Sequence, residues 1–174
     1  DTLDTTVSIL LGIGDGSFGT RTSFSAGAGV QALNTGDFNG DGNLDLVTAD
    51  YQGDNVSVFL GTGSGGFSGA ASFEAGNGVW KVEVADLNGD ELPDLIRAGV
   101  ADSEREISIS FGRENGELPA TPDQIIPVPP GLSIGKIFAE DFSGDGLPDL
   151  LAMNPFTISG LLLARPDGSF APAQ

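Results

Sequence analysis

The chain has 174 residues, enough for one domain with a real core and short for two. Its 25 acidic and 7 basic residues, with no histidine, give a formal charge of -18, which repels nucleic-acid phosphates and anionic lipid and argues against a nucleic-acid or membrane-surface binder. With neither His nor Cys there is no usual zinc or copper site, no Ser-His-Asp triad, no cysteine nucleophile and no disulfide, whereas hard cations that take carboxylate oxygens remain possible, calcium foremost.

Glycine (27) and proline (10) together make up about a fifth of the chain, well above the usual combined share of about 12%. The hydrophobic fraction of 39% is too high for a disordered acidic tail. Short apolar runs between glycine turns predict an all-β fold. No apolar run approaches the roughly 18–20 residues of a membrane helix, and no 3.6-residue period persists, so helix content is expected to be near nil. The chain starts at Asp1 with no leader pattern, and is read as a mature product or a fragment of a longer chain.

Two patterns interleave along the sequence. The first element is a strand with a glycine turn, Val7-Ser-Ile-Leu-Leu-Gly-Ile-Gly-Asp-Gly-Ser-Phe18. It recurs as Val56-Ser-Val-Phe-Leu-Gly-Thr-Gly-Ser-Gly-Gly-Phe67, Ile107-Ser-Ile-Ser-Phe-Gly-Arg-Glu-Asn-Gly-Glu-Leu118 and Ile158-Ser-Gly-Leu-Leu-Leu-Ala-Arg-Pro-Asp-Gly-Ser-Phe170, in steps of 49, 51 and 51 residues. Residues 7–11 lack a partner in a unit of their own, and are expected to close the C-terminal unit or a neighbour's. Asp15-Gly16, Asn115-Gly116 and Asp167-Gly168 are dipeptides that favour tight reversals.

The second pattern is an acidic loop, first met as Asp37-Phe-Asn-Gly-Asp-Gly-Asn-Leu-Asp45. It returns as Asp86-Leu-Asn-Gly-Asp-Glu-Leu-Pro-Asp94 and Asp141-Phe-Ser-Gly-Asp-Gly-Leu-Pro-Asp149, the starts 49 and 55 residues apart. Around the first loop, period-two alternation predicts four strands at about 32–35, 44–49, 56–60 and 70–75. A four-stranded antiparallel unit of about 50 residues, repeated, is a β-propeller blade whose faces are covered by its neighbours. The chain thus reads as about three blades plus an extra N-terminal strand segment: a partial blade at 1–19, then blades at 20–68, 69–119 and 120–174, together forming a propeller domain or part of one. Residues 121–131, with Pro122, Pro127, Pro129 and Pro130, are expected to replace an outer strand by an extended connection.

Each loop offers side-chain oxygens at positions 1, 3, 5 and 9 and a backbone carbonyl at position 7. These are Asp37, Asn39, Asp41, Asn43 and Asp45; Asp86, Asn88, Asp90, Leu92 and Asp94; and Asp141, Ser143, Asp145, Leu147 and Asp149. Crowded carboxylates on one turn repel each other until a dication joins them, and calcium takes six to eight such oxygens. About three calcium ions are expected, the first site being strongest, because Ser143 is a weaker ligand than an amide and Glu91 stands where the other loops have Gly42 and Gly146. An EF-hand would end in a bidentate acid at position 12 and enter a helix; here Thr48, Arg97 and Ala152 occupy position 12 and a strand pattern follows.

These motifs resemble the FG-GAP/VCBS repeat family, the calcium-loop propeller blades also found in integrin α-subunit heads. The resemblance covers about residues 7–170 and implies one calcium per loop. Members usually close six or seven blades, so three blades with two open edges imply further blades from the same parent chain or a second copy. The implied role is an extracellular, secreted or cell-surface binding or adhesion module for a glycan or protein ligand, with no nucleic acid and no membrane insertion. Two alternatives are the propeller portion of a secreted polysaccharide-degrading enzyme and a structural blade array in an oligomer or surface filament.

Other signals are weaker. Gly61-Thr-Gly-Ser-Gly-Gly66 fits a dinucleotide fingerprint in letters only, since turn residues rather than a helix pattern follow. Trp80, the only tryptophan, sits six residues before Asp86 and is a candidate to stack on a sugar, the alternative being a core residue between blades. Asn55-Val-Ser57 is a glycosylation sequon, relevant only in a eukaryotic secretory pathway. Glu83, Glu104, Glu106 and Glu140 show no pairing of the kind glycoside hydrolysis needs, and the two lysines and five arginines look scattered. A binding module is therefore favoured over an enzyme. Nine of the 25 acids fall at loop positions, and three calcium ions would bring the charge to about -12.

Overall fold

The structure, a computed structural model, describes residues 5–101, 104–114, 116–119, 121–128, 134–154, 157–165 and 169–172. Among these there are strands, turns and loops but no helix, and so none long and apolar enough to cross a membrane. A two-stranded sheet, β1 (Thr6–Ile9) and β2 (Thr22–Ser25), comes first. Three four-stranded sheets follow. The first is β3 (Val30–Gly36), β4 (Asp45–Asp50), β5 (Asn55–Gly61) and β6 (Phe67–Glu74). The second is β7 (Asn77–Ala85), β8 (Asp94–Ala101), β9 (Glu104–Ser110) and β10 (Gln124–Pro127). The third is β11 (Lys136–Glu140), β12 (Asp149–Asn154), β13 (Thr157–Ala164) and β14 (Phe170–Pro172). Within each sheet a strand pairs antiparallel with the next in sequence, and the first strand of the second sheet, β7, lies beside both β3 and β11.

Alternation along the central strands has an unusual meaning here. Every residue of β4 is buried, although side chains still point alternately to two faces. Val47 and Ala49 enter a core with Val56, Val58, Val79, Val82 and Leu95, between the first and second sheets. Leu46 points the other way, joining Val7 and Phe59 under the β1–β2 hairpin, where Phe24 meets Phe67 edge-on at 5.3 Å between ring centroids. In β8, Leu95 belongs to the first of these cores, while Ile96 and Ala98 join Ile107, Ile109, Ile137 and Leu150 between the second and third sheets. Both faces of a middle strand can be apolar because a neighbouring sheet covers each. Full burial of one such Leu or Ile contributes about 1.5–3 kcal/mol. The outer strand β6, by contrast, is almost wholly exposed.

Two expectations are corrected. Residues 7–11 do not await a distant partner: β1 pairs with β2, Val7 opposite Phe24, and the hairpin packs on the first sheet through Val7. Nor is the outer strand of the second sheet replaced by an extended connection. β10 pairs with β9, Ile126 opposite Ile107, because Pro122 and Pro127 flank the Ile125-Ile126 pair rather than interrupt it. Pro127, at the strand's end on the sheet edge, gives up an N–H where none is needed. Pro129, Pro130 and Gly131 lie outside the described residues, as do Asn115 of its turn dipeptide and Asp167-Gly168. At Asp15-Gly16 the chain does reverse: Gly16 has φ 91°, the Ile13 N–H donates to Ser17 O (3.0 Å), and Gly12 bridges Phe18.

Candidate metal-binding loops

All three acidic loops connect the first and second strands of their sheets: β3 to β4, β7 to β8 and β11 to β12. They share one backbone design. Asp37 Oδ2 accepts the Gly42 N–H (2.8 Å), Asp86 Oδ2 that of Glu91 (2.8 Å) and Asp141 Oδ2 that of Gly146 (2.9 Å). The other oxygen of each takes the position-5 N–H, at 3.1–3.2 Å. The position-5 carboxylates in turn accept the position-7 N–H: Asp41 from Asn43 (2.8 Å), Asp90 from Leu92 (2.9 Å) and Asp145 from Leu147 (2.9 Å). Side chains at positions 1 and 5 thus fold the turn onto itself.

Folding the turn this tightly requires positive φ at positions 4 and 6. Gly40, Gly89 and Gly144 supply it at position 4, with φ 69°, 76° and 80°. At position 6, Gly42 (83°) and Gly146 (93°) do so freely, and Glu91 is driven to 68°, one of two non-glycine residues with positive φ among those described.

Position 9 is buried and also ties the loop to its sheet. Asp45, Asp94 and Asp149 have 0% exposure. Asp45 accepts the Phe38 N–H (2.8 Å) from its own loop and the Gly61 N–H (2.7 Å) from the end of β5. Asp94 likewise accepts from Leu87 (2.7 Å) and Gly112 (2.8 Å), and Asp149 from Ser143 (2.8 Å) and Ala164 (2.7 Å). Each is a clamp joining the loop to the sheet's third strand or the residues just past it. The nine-letter motif does not show this clamp; an aspartate opening a buried strand is the signal that would have.

The third loop departs from the other two. Asn39 and Asn88 each donate Nδ2–H to the position-5 carboxylate at 3.0 Å, whereas Ser143 reaches only Asp141 Oδ1, at 3.5 Å. Phe38 and Leu87 at position 2 are buried in the cores toward the following sheet, but Phe142 is 48% exposed.

The electrostatics follow from burial. The Asn43 N–H and the Asn39 amide hold the exposed Asp41 carboxyl below its usual range, and Asp141 is lowered chiefly by the Gly146 N–H. Burial pushes Asp94 up to about 6 despite its two N–H donors. For a hard cation, the side chains at positions 1, 3, 5 and 9 and the position-7 carbonyl are the oxygens each loop offers, and the chemistry of that set suits calcium. Position 9 accepts two N–H donors, as position 1 of the first loop does, and a carboxylate so engaged keeps lone pairs for an ion. Among the described residues, no three carboxylates come together as a metal cage.

Trp80 lies within β7 rather than before it. Half-buried, it packs against the core between the second and third sheets and donates its indole Nε1–H to Ile134 O (2.9 Å). Gly61–Gly66 forms the turn into β6, with Thr62 N–H donating to Gly66 O (3.0 Å), and a strand follows instead of the helix a dinucleotide needs. In the sequon, the Ser57 hydroxyl donates to the buried Asp50 (2.6 Å), which also takes Thr48 Oγ1–H (2.8 Å), and burial raises the Asp50 pKa. Gly27 lies against that carboxylate so closely that a side chain there would collide with it. Glu106 accepts the Ser108 hydroxyl (2.7 Å).

A feature missed in the sequence is a cleft of about 310 Å³ lined by β3, β7 and β11. It brings together Lys81, Glu83 and Lys136 with Asn34, whose Nδ2–H donates to Glu83 Oε1 (2.7 Å), and Phe138. The signal was present in the register, since both lysines stand five residues before the first aspartate of a loop.

No curated protein matches the chain. The FG-GAP-like repeat model matches it at residues 2–48 and again at 37–97. Each match carries at least one acidic loop and at least the start of the strand that follows, and together they span more than half of the sequence. The chain therefore belongs to the FG-GAP-like repeat family.

Proposed function

We propose that the chain is part of an extracellular, calcium-stabilised β-propeller that serves as a binding or adhesion module for a glycan or protein ligand. The observation that carries this reading is the shared conformation of the three loops: the aspartates at positions 1 and 5, the N–H bonds they accept from positions 5, 6 and 7, and positive φ at positions 4 and 6 recur at every repeat, even where Glu91 must be strained to adopt it. A turn kept so constant at such charge density is best explained by a common ion. Millimolar calcium outside cells suits loops of this openness, and cytosolic calcium would leave them largely empty.

The propeller reading is supported by the serial stacking of three sheets with β7 between β3 and β11. Phe142 supports the presence of a further sheet. Its counterparts Phe38 and Leu87 plug the core toward the next sheet, and Phe142 has no such core among the described residues. A further blade of the same parent chain, or of a second copy, would cover it.

Calcium titration with a thermal melt tests the reading. With an assumed Kd of about 0.1 mM, 2 mM calcium stabilises by about 1.8 kcal/mol per site. For a chain of this size each kcal/mol is worth about 2–4 °C. A melting temperature unchanged between calcium and chelator would overturn the metal assignment.

A further inference from the structure

We infer that the cleft between β3, β7 and β11 is a binding site for the carboxylate of an acidic saccharide, held by Lys81 and Lys136. The inference rests on the reading of the chain as a glycan-binding module and names the ligand class and the place.

Charge is the first argument. The chain has 25 acidic residues and only two lysines, and both lysines line this cleft. Among the described residues neither lies within 4.0 Å of a carboxylate; the salt bridge that is present joins Arg113 to Asp123. The acid in the cleft, Glu83, is engaged by the Asn34 amide at 2.7 Å. The two ammonium groups stand at equivalent positions of β7 and β11 on one cleft, so a bound anion is attracted by both.

The remaining lining points to a sugar. Phe138 is 38% exposed and follows Lys136 by two residues on β11, with the lysine Nζ 5.8 Å from its ring centroid. The ammonium stands over one face of the ring, which holds Lys136 at the cleft and leaves the ring's exposed remainder as an apolar contact for a sugar's C–H groups. The Asn34–Glu83 pair supplies donor and acceptor for hydroxyls. No arginine lines the cleft, so the planar fork that favours phosphate esters is missing. A volume of about 310 Å³ is at the small end of ligand sites and suits one or two sugar rings. The charge of -18 opposes anions at long range, but salt at 0.15 M confines that field to about 8 Å. Recognition here is therefore a short-range matter.

The test is calorimetric titration of the full chain with trigalacturonate, in chelator so that the probe's own affinity for calcium plays no part. The fully methyl-esterified trimer is the neutral control, and inorganic phosphate is the competitor. Binding of trigalacturonate is expected to weaken about tenfold on esterification, about tenfold in Lys81→Gln and in Lys136→Gln, and to vanish in the double variant, with melting temperatures unchanged. Equal binding of the neutral trimer, indifference to both substitutions, or no binding at all overturns the inference. Displacement by phosphate at comparable concentration also overturns it, leaving a general anion site. The calcium melt on the same preparation keeps the two readings apart. A chain that calcium stabilises but that ignores trigalacturonate loses the cleft and keeps the metal, and the converse result keeps the cleft alone.

Discussion

Position 6 of the loops offers a matched pair of substitutions with opposite signs. Glu91 sits at φ 68°, where Gly42 and Gly146 sit at 83° and 93°. Holding an L-residue in that region costs about 1–2 kcal/mol. Replacing it with glycine removes the strain but gives the unfolded chain about 0.4–1 kcal/mol of extra freedom. The net expectation for Glu91→Gly is a gain of about 0.5–1 kcal/mol, or about 1–4 °C in melting temperature. The hydrogen bond from residue 91 N–H to Asp86 survives the change, since it comes from the backbone. Glu91 also carries charge, so Glu91→Gln is the proper reference, and the quantity to compare is the Gly variant minus the Gln variant. Gly42→Ala runs the experiment in reverse. An added Cβ there meets no atom within 4 Å, so the cost is conformational alone, about 0.5–1 kcal/mol of destabilisation. Trp80, the single tryptophan and half-buried against a core, reports the melts by its fluorescence, all in chelator. A Glu91→Gly variant less stable than Glu91→Gln, or a Gly42→Ala variant more stable than the parent, would refute the assignment of strain to this position.

Further outcomes follow from the clamps and cores. Asp45→Ala leaves two buried N–H donors, those of Phe38 and Gly61, and should cost about 3–5 kcal/mol by denaturant melt even in chelator, whereas Asp41→Asn on the exposed turn, which loses one of two acceptor oxygens, should cost much less. Equal losses would mean that Asp45 is no clamp. Because the folded pKa of Asp94 is raised from 3.8 to about 6, its ionisation penalises the folded state above about pH 6, and that penalty is relieved as pH falls from 6 toward 4. Without calcium, the parent should therefore gain stability relative to Asp94→Asn between pH 7 and pH 4.5; a relative loss would contradict the sign. Phe38→Ala should cost about 3–5 kcal/mol and Phe142→Ala much less in this chain, since only the first ring fills a core; equal costs by calorimetry would place Phe142 in a core too.

Much of this was legible in the sequence for a simple reason. A turn built from Asp side chains and glycines writes its geometry into fixed spacings, so the loops and the strands flanking them were found, and Glu91 stood out where the other loops have glycine. The parts that escaped depend on distance along the chain. β2 is a four-residue strand of Thr, Ser and Phe whose partner precedes it by a long glycine turn, and only tertiary pairing reveals it. Prolines around β10 masked two isoleucines that pair normally. The buried role of Asp45, Asp94 and Asp149 is invisible in a motif that lists oxygens without saying which face they meet. Lys81 and Lys136 look scattered until β7 and β11 lie side by side.

The division of each central strand between two cores shapes how the molecule comes apart. Leu46 and Val47 are adjacent in sequence yet serve different interfaces, and so do Leu95 and Ile96. Stability is then a chain of nearest-neighbour terms rather than one sum over a single core. The second sheet is held on both sides, while the hairpin at one end and the third sheet at the other are each held on one. Fraying should begin at those ends and move inward, so amide exchange should be slowest in β8 and β9, and denaturation of this chain should be graded until its open faces are covered.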